Sequence, residues 1–209
     1  SGYFSFEKSF VPQVDVGDGE TLDDCPVLEL AADGVDAFVG LNGPYEDDGT
    51  TPDAIGLALA NASFALAMIK PSRNADDEGD TRTWFGLKVS VGGVSPVGLP
   101  GVGIEGTDLL FSANRADGVA EDGSEATPLD WQQFDAGAGY LVDEAVDDHA
   151  GHDLRIDLAA ATITRLEGHL EVSLLGQTLS GDFGIEKVVT NQDDEILRMG
   201  VDNGTLSLG

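Results

Sequence analysis

Basic residues are scarce in this chain: ten Lys and Arg stand against 39 Asp and Glu, a formal net charge of −29 over 209 residues. A surface of that sign repels phosphate backbones and anionic lipid heads, which argues against nucleic acid and membrane surfaces as partners. Cysteine is nearly absent. Cys25 stands alone, so neither an intrachain disulfide nor a cysteine-based metal site is available. No apolar run approaches a membrane span, and the opening residues carry no signal-peptide pattern. There is no Gly-x-Ser-x-Gly elbow, and no Lys-Ser/Thr pair follows the Gly-containing segment Val102–Thr107. The commonest hydrolase and phosphate-loop signatures are therefore missing.

Glycine is the conspicuous excess, with 28 copies, and hydrophobic residues reach 41%. That balance suits a folded, turn-rich protein, because enough apolar surface exists to offset chain entropy. Gly and Pro punctuate short alternating segments, which predicts an all-β, antiparallel, hairpin-rich sheet or sandwich, elongated and with little helix. The apolar parity switches at four places, as a two-residue hairpin loop requires when both strands face one core. Those places are Asn61-Ala62, Gly92-Gly93, Gly176-Gln177 and Asn203-Gly204. A β-solenoid is the alternative, since its corners also break alternation. Thr127–Phe134 is the best helical candidate, with Thr127 as N-cap and Pro128 at the first position, for a turn or two at most.

An internal match organises the chain. Residues 1–8 read SGYFSFEK and residues 180–187 read SGDFGIEK, identical at five of eight positions and offset by 179. A second block follows in the same order: Val27–Gly40 aligns without gaps to Ile196–Gly209, offset by 169. The ten-residue difference falls in the acidic stretch between the blocks, where a surface loop tolerates it. Two blocks in order predict a repeat of roughly 170–180 residues. Residues 1–40 then end one unit, 41–179 form its body, and 180–209 begin the motif again.

The acidity has three readings: solubility, hydration in high salt, or oxygen ligands for Ca²⁺. Asp15, Asp18, Glu20, Asp23 and Asp24 form one candidate calcium loop, and Asp76, Asp77, Glu78 and Asp80 a second. Neither has EF-hand spacing or the Gly-Gly-x-Gly-x-Asp nonapeptide, so a solvated acidic surface is the competing reading. His149 and His152 stand three apart, but Gly151 between them argues for a polar loop over a metal pair. His169 reads as a solvent-facing strand residue. Trp84, Trp131, Tyr45 and Tyr140 suit a core better than a sugar-stacking patch. No catalytic residues can be singled out among the 39 acids.

The segment Leu170–Lys187, LEVSLLGQTLSGDFGIEK, resembles a phrase of very large repetitive bacterial or archaeal surface and secreted proteins. In those, a short strand, a Gly-Gln-Thr turn and a Ser-Gly-Asp-Phe strand recur through long arrays, and SGYFSFEK repeats the phrase's second half. The resemblance implies an extracellular, adhesin-like or fibre-forming role, often with calcium. The expectation is a structural repeat module rather than an enzyme, with neighbouring copies of the same repeat as partners. Alternatives are an adhesin module recognising a glycan or surface, a carbohydrate-active enzyme, and a lipid-carrying β groove.

Overall fold

The computed structural model describes residues 2–43, 53–72, 79–99, 102–142, 154–174, 176–189 and 195–208. The strands are β1 (Tyr3–Gly17), β2 (Glu20–Leu41), β3 (Ile55–Ile69), β4 (Thr83–Val97), β5 (Val102–Asp117), β6 (Tyr140–Leu141), β7 (Arg155–Ile156), β8 (Ile163–Leu174), β9 (Gln177–Val189) and β10 (Glu195–Ser207). Eight of them form one open antiparallel sheet in the order β1-β2-β3-β4-β5-β8-β9-β10, while β6 and β7 pair separately. The all-β, antiparallel expectation is met. The β-solenoid alternative fails, because every strand pairs antiparallel with its neighbour.

The β1–β2 hairpin closes on Asp18-Gly19, between the pair Gly17↔Glu20, with φ of 52° and 80° at the two turn residues. Two positive φ values define the type I′ turn that Asp-Gly favours, so residues grouped above as a calcium loop are a hairpin tip. The Gly176 hairpin also exists. Its register is Leu174↔Gln177, Val172↔Leu179 and Leu170↔Gly181, two residues earlier than expected but on the same face.

The other three expected hairpins are absent, because β3, β4 and β10 each run straight through the assigned turn. The flanking pairs Ala60↔Gly93, Ala62↔Val91, Val91↔Leu109 and Gly93↔Thr107 bring Asn61, Gly92 and Asp108 to one level of the sheet. Gly34, Asp108 and Asn203 each adopt positive φ at a register shift, as β-bulges do. Together these residues draw one crease across the sheet. An extra residue in a strand reverses which face odd and even positions occupy, so a bulge imitates a turn's parity switch.

Below the crease the two faces differ. One face packs Val27, Ala31, Ala65, Ala67, Ile69 and Trp84 against Leu129, Trp131, Val142, Leu154 and Ile156 of the segment between β5 and β8. That segment contains two 3-10 turns, Trp131–Gln133 and Asp135–Gly137, where a short helix was expected. Asp130, not Thr127, caps the first by accepting from Gln132 N. Buried Asn114 pins the segment down: it accepts from Trp131 Nε1 at 3.0 Å and donates to Leu129 O and Ala159 O, both at 2.8 Å. Gly86 leaves room for Trp131, since a Cβ there would lie 2.6 Å from the indole.

The opposite face carries an apolar ladder across all eight strands: Phe4, Ala32, Phe64, Val89, Phe111, Leu166, Ile185 and Met199 are successive cross-strand partners. Among the described elements none packs over this face; β7 touches β3 and β4 from the other side.

Candidate functional site

The two sequence-matched blocks meet as paired strands, once at each end of the sheet. In β1–β2 the register is Tyr3↔Asp33, Phe4↔Ala32, Phe6↔Leu30, Lys8↔Leu28 and Ser9↔Val27. In β9–β10 it is Asp182↔Asp202, Phe183↔Val201, Ile185↔Met199, Lys187↔Leu197 and Val188↔Ile196. Applying the offsets of 179 and 169 residues to the first set reproduces the second at every pair.

The glycine of each Ser-Gly motif has the same surroundings. A Cβ on Gly2 would lie 3.1 Å from both Asp33 O and Val35 Cα, and one on Gly181 would lie 3.1 Å from Asp202 O and 3.2 Å from Gly204 Cα. Asp202 and Gly204 are the counterparts of Asp33 and Val35. Both contacts are tighter than a side chain normally accepts, so close approach to the bulged partner strand explains why glycine recurs there.

What differs between the copies is cover. Val27 is 1% exposed and Ala32 is fully buried, while their counterparts Ile196 and Val201 are 38% and 75% exposed. β2 has β3 beside it; among the described strands none lies beyond β10, and every residue of the strand is exposed. An unpaired strand edge presents backbone donors and acceptors that template a further strand. Among the described residues the outer edge of β1 is met at its far end. There Gln133 mimics a strand residue, accepting from Asp15 N at 2.7 Å and donating to Asp15 O at 2.9 Å.

Two of the candidate calcium ligands do converge, on a cation of the protein's own. Arg82 donates to both oxygens of Glu20 at 2.7 and 2.8 Å, and its guanidinium also holds Asp80 at 2.7 Å. Its side chain is 7% exposed and lies 5.4 Å from the Trp84 ring. Hydrogen bonding from Arg82 holds the Glu20 carboxyl below its ordinary value; burial pushes Asp80 up, but Arg82 outweighs it and the net shift is down. The carboxylates are spent on the guanidinium at the wall of an open cleft of about 500 Å³ that Asp23 and Asp122 also line. Asp15 accepts from Gly17 N in the hairpin, Asp18 occupies the turn, and Asp23 and Asp24 lie within β2. Asp76, Asp77 and Glu78 lie outside the described residues, as do Tyr45, His149 and His152. Among the described residues, no group of three or more His, Cys, Asp and Glu side chains is arranged to hold a metal ion.

The aromatics follow the core expectation. Trp84 and Trp131 are fully buried, and Tyr140 packs edge-on to Trp131 at 5.9 Å. Burial, then the Glu29 carboxylate that accepts from it at 2.7 Å, pushes the Tyr140 phenol up. Burial likewise pushes the Cys25 thiol up, which leaves it protonated and unreactive. His169 stands partly exposed on β8 and reaches Asp182 at 2.8 Å. Hydrogen bonds from Asn203 and then His169 hold Asp182 below its usual range.

Arg82, Asn114 and Gln133 were not anticipated from sequence. Only Arg82 left a signal, as one of ten basic residues set beside an acidic run. No family model matches the chain, and neither a curated protein nor a solved structure is similar to it. Among the described residues no helix is long and apolar enough to cross a membrane.

Proposed function

We propose that this chain is a structural, non-catalytic repeat module that continues one antiparallel sheet head to tail with its neighbours. The observation that carries the reading is the shared register of the β1–β2 and β9–β10 pairs. If β9 and β10 open the next unit, six strands from β1 to β8 make one unit. The free edge of β10 then takes a strand equivalent to β3, with Met68 opposite Leu197 and Leu66 opposite Met199, by transfer of the β2–β3 register. The free edge of β1 takes a strand equivalent to β8, with Leu166 opposite Phe6 and Thr164 opposite Lys8.

Such an array resists extension because load falls across successive backbone ladders, and each unit adds a nearest-neighbour interface. The resemblance of Leu170–Lys187 to giant surface proteins supports an extracellular adhesin stalk or fibre as its setting. Calcium fits that setting at the acidic connections, with Asp76, Asp77 and Glu78 among the candidate ligands.

The test extends the chain by its own rule. Gly209 aligns with Gly40, so residues 41–209 are fused directly after Gly209. Small-angle scattering should then report one longer particle that melts in a single transition. Two bodies joined by a flexible link, melting independently, would overturn the reading.

A further inference from the structure

We propose that the uncovered face of the sheet packs against the same face of a second copy of this chain, closing a two-layer sandwich. The inference rests on the face and not on the strand edges, so it stands or falls separately from the head-to-tail reading.

A sheet with one apolar face must bury it, and the usual solution is a second layer about 10 Å away. Among the described residues the segment between β5 and β8 supplies that layer on one side. On the other side the ladder from Phe4 to Met199 is apolar at all eight positions, and the adjoining ladder from Phe6 to Leu197 contains one charge, Lys187. Lys187 is itself paired with Glu195 at 2.6 Å. Neither ladder contains a carboxylate, in a chain with 39 of them.

Charge and area select the occupant. Two copies at −29 each repel one another, so they associate by the surface poorest in acid, where the one carboxylate beside the two ladders, Glu195, is neutralised by Lys187. Eight strands at about 4.8 Å spacing and two ladders at about 7 Å span roughly 540 Å² per copy, at the upper end of the largest apolar patch of a typical monomer. Doubled, that is about 1,080 Å², which clears the roughly 1,000 Å² a specific interface needs. Among the described elements each strand of the sheet makes its extensive contacts with its immediate neighbours, in one open sheet. A small apolar ligand needs concave walls, whereas a second sheet does not. Large and small residues alternate along the ladder, as at Phe4, Ala32 and Phe64, which lets two copies interdigitate.

Sedimentation equilibrium of the full chain over a dilution series tests this. A monomer–dimer equilibrium that tightens with added salt is expected, since screening relieves the repulsion. Phe111→Glu places a charge at the centre of the face and should weaken the dimer by at least about 100-fold. Because Phe111 is half-buried, the double variant Phe6→Glu with Met199→Glu is the second probe; these side chains are 69% and 72% exposed in the single copy, so the strand signal and melting of the monomer should be unchanged. A chain that stays monomeric throughout overturns the proposal. So does a dimer indifferent to these substitutions, or a monomer carrying solvent-extractable lipid on the face.

Discussion

Gly34 and Asn203 occupy the same place in the two matched hairpins, 169 residues apart, and both turn the backbone to positive φ, 62° and 50°. Each lies at a register shift of its strand, Gly34 against β3 and Asn203 against β9. The positive φ belongs to the frame of both hairpins. Asn tolerates this conformation and Gly prefers it. Asn203→Gly should therefore leave stability within about 0.5 kcal/mol, while Gly34→Val should cost about 1–3 kcal/mol. Chemical denaturation of the two variants checks both.

Arg82 ties the tip of the β1–β2 hairpin to the start of β4 through Glu20 and Asp80. Removing it leaves two carboxylates facing a nearly buried site. Arg82→Met should destabilise the protein by about 2–4 kcal/mol at neutral pH, below the fully buried case because Glu20 is half exposed. Both carboxyls have lowered folded values, so their contribution is complete above their ordinary values of 4.5 and 3.8 and is lost as pH falls through the folded ones. The gap between wild type and Arg82→Met should shrink on the acid side of 3.8. A pH series of thermal melts gives the answer; a constant gap would show that the ion pairs are not its source.

Calcium should not act through Glu20 and Asp80 while Arg82 holds them. Melting measured with calcium and with chelator should shift no more in Glu20→Gln than in wild type. Any calcium-dependent rise common to both then comes from other acidic segments. A rise lost in Glu20→Gln would place the ion at the hairpin tip after all.

Asn114 satisfies one indole N–H and two carbonyls beneath the cover segment. Asn114→Ala leaves the indole N–H and Leu129 O without this partner, while Ala159 O keeps Ala161 N at 2.8 Å, and should cost about 2–4 kcal/mol. Trp131 fluorescence should shift to the red as water reaches the ring. An unshifted spectrum would mean that the segment is held by its apolar contacts alone.

The all-β class was legible because Gly and Pro spacing and alternation are local signals. So was the recurrence of two blocks, whose shared register no composition argument could supply. The interior of the long strands was not legible. Typical strands run about five or six residues, so a parity switch in the middle of a 15-residue strand such as β3 reads as a turn. Asn61 and Asn203 turn to positive φ on the crease, where irregular backbone reverses parity without reversing the chain; Gly92 lies beside them in a strand whose register is unbroken. Asp18-Gly19 is the opposite case. A strong hairpin dipeptide was read for its carboxylates, and its turn chemistry sets its backbone. The meeting of Glu20 with Asp80 depends on strands that are adjacent in neither sequence nor pattern, so only the fold could reveal Arg82 between them.

Hydrogen exchange on β10 tests the head-to-tail sheet most directly. In the 209-residue chain the outward amides of Glu195–Ser207 face solvent and should exchange rapidly. In the chain extended by residues 41–209 a β3-equivalent strand should cover them, and their exchange should slow by at least about 100-fold, approaching that of β2. Outward amides of β10 that exchange equally fast in both chains would contradict the continued sheet.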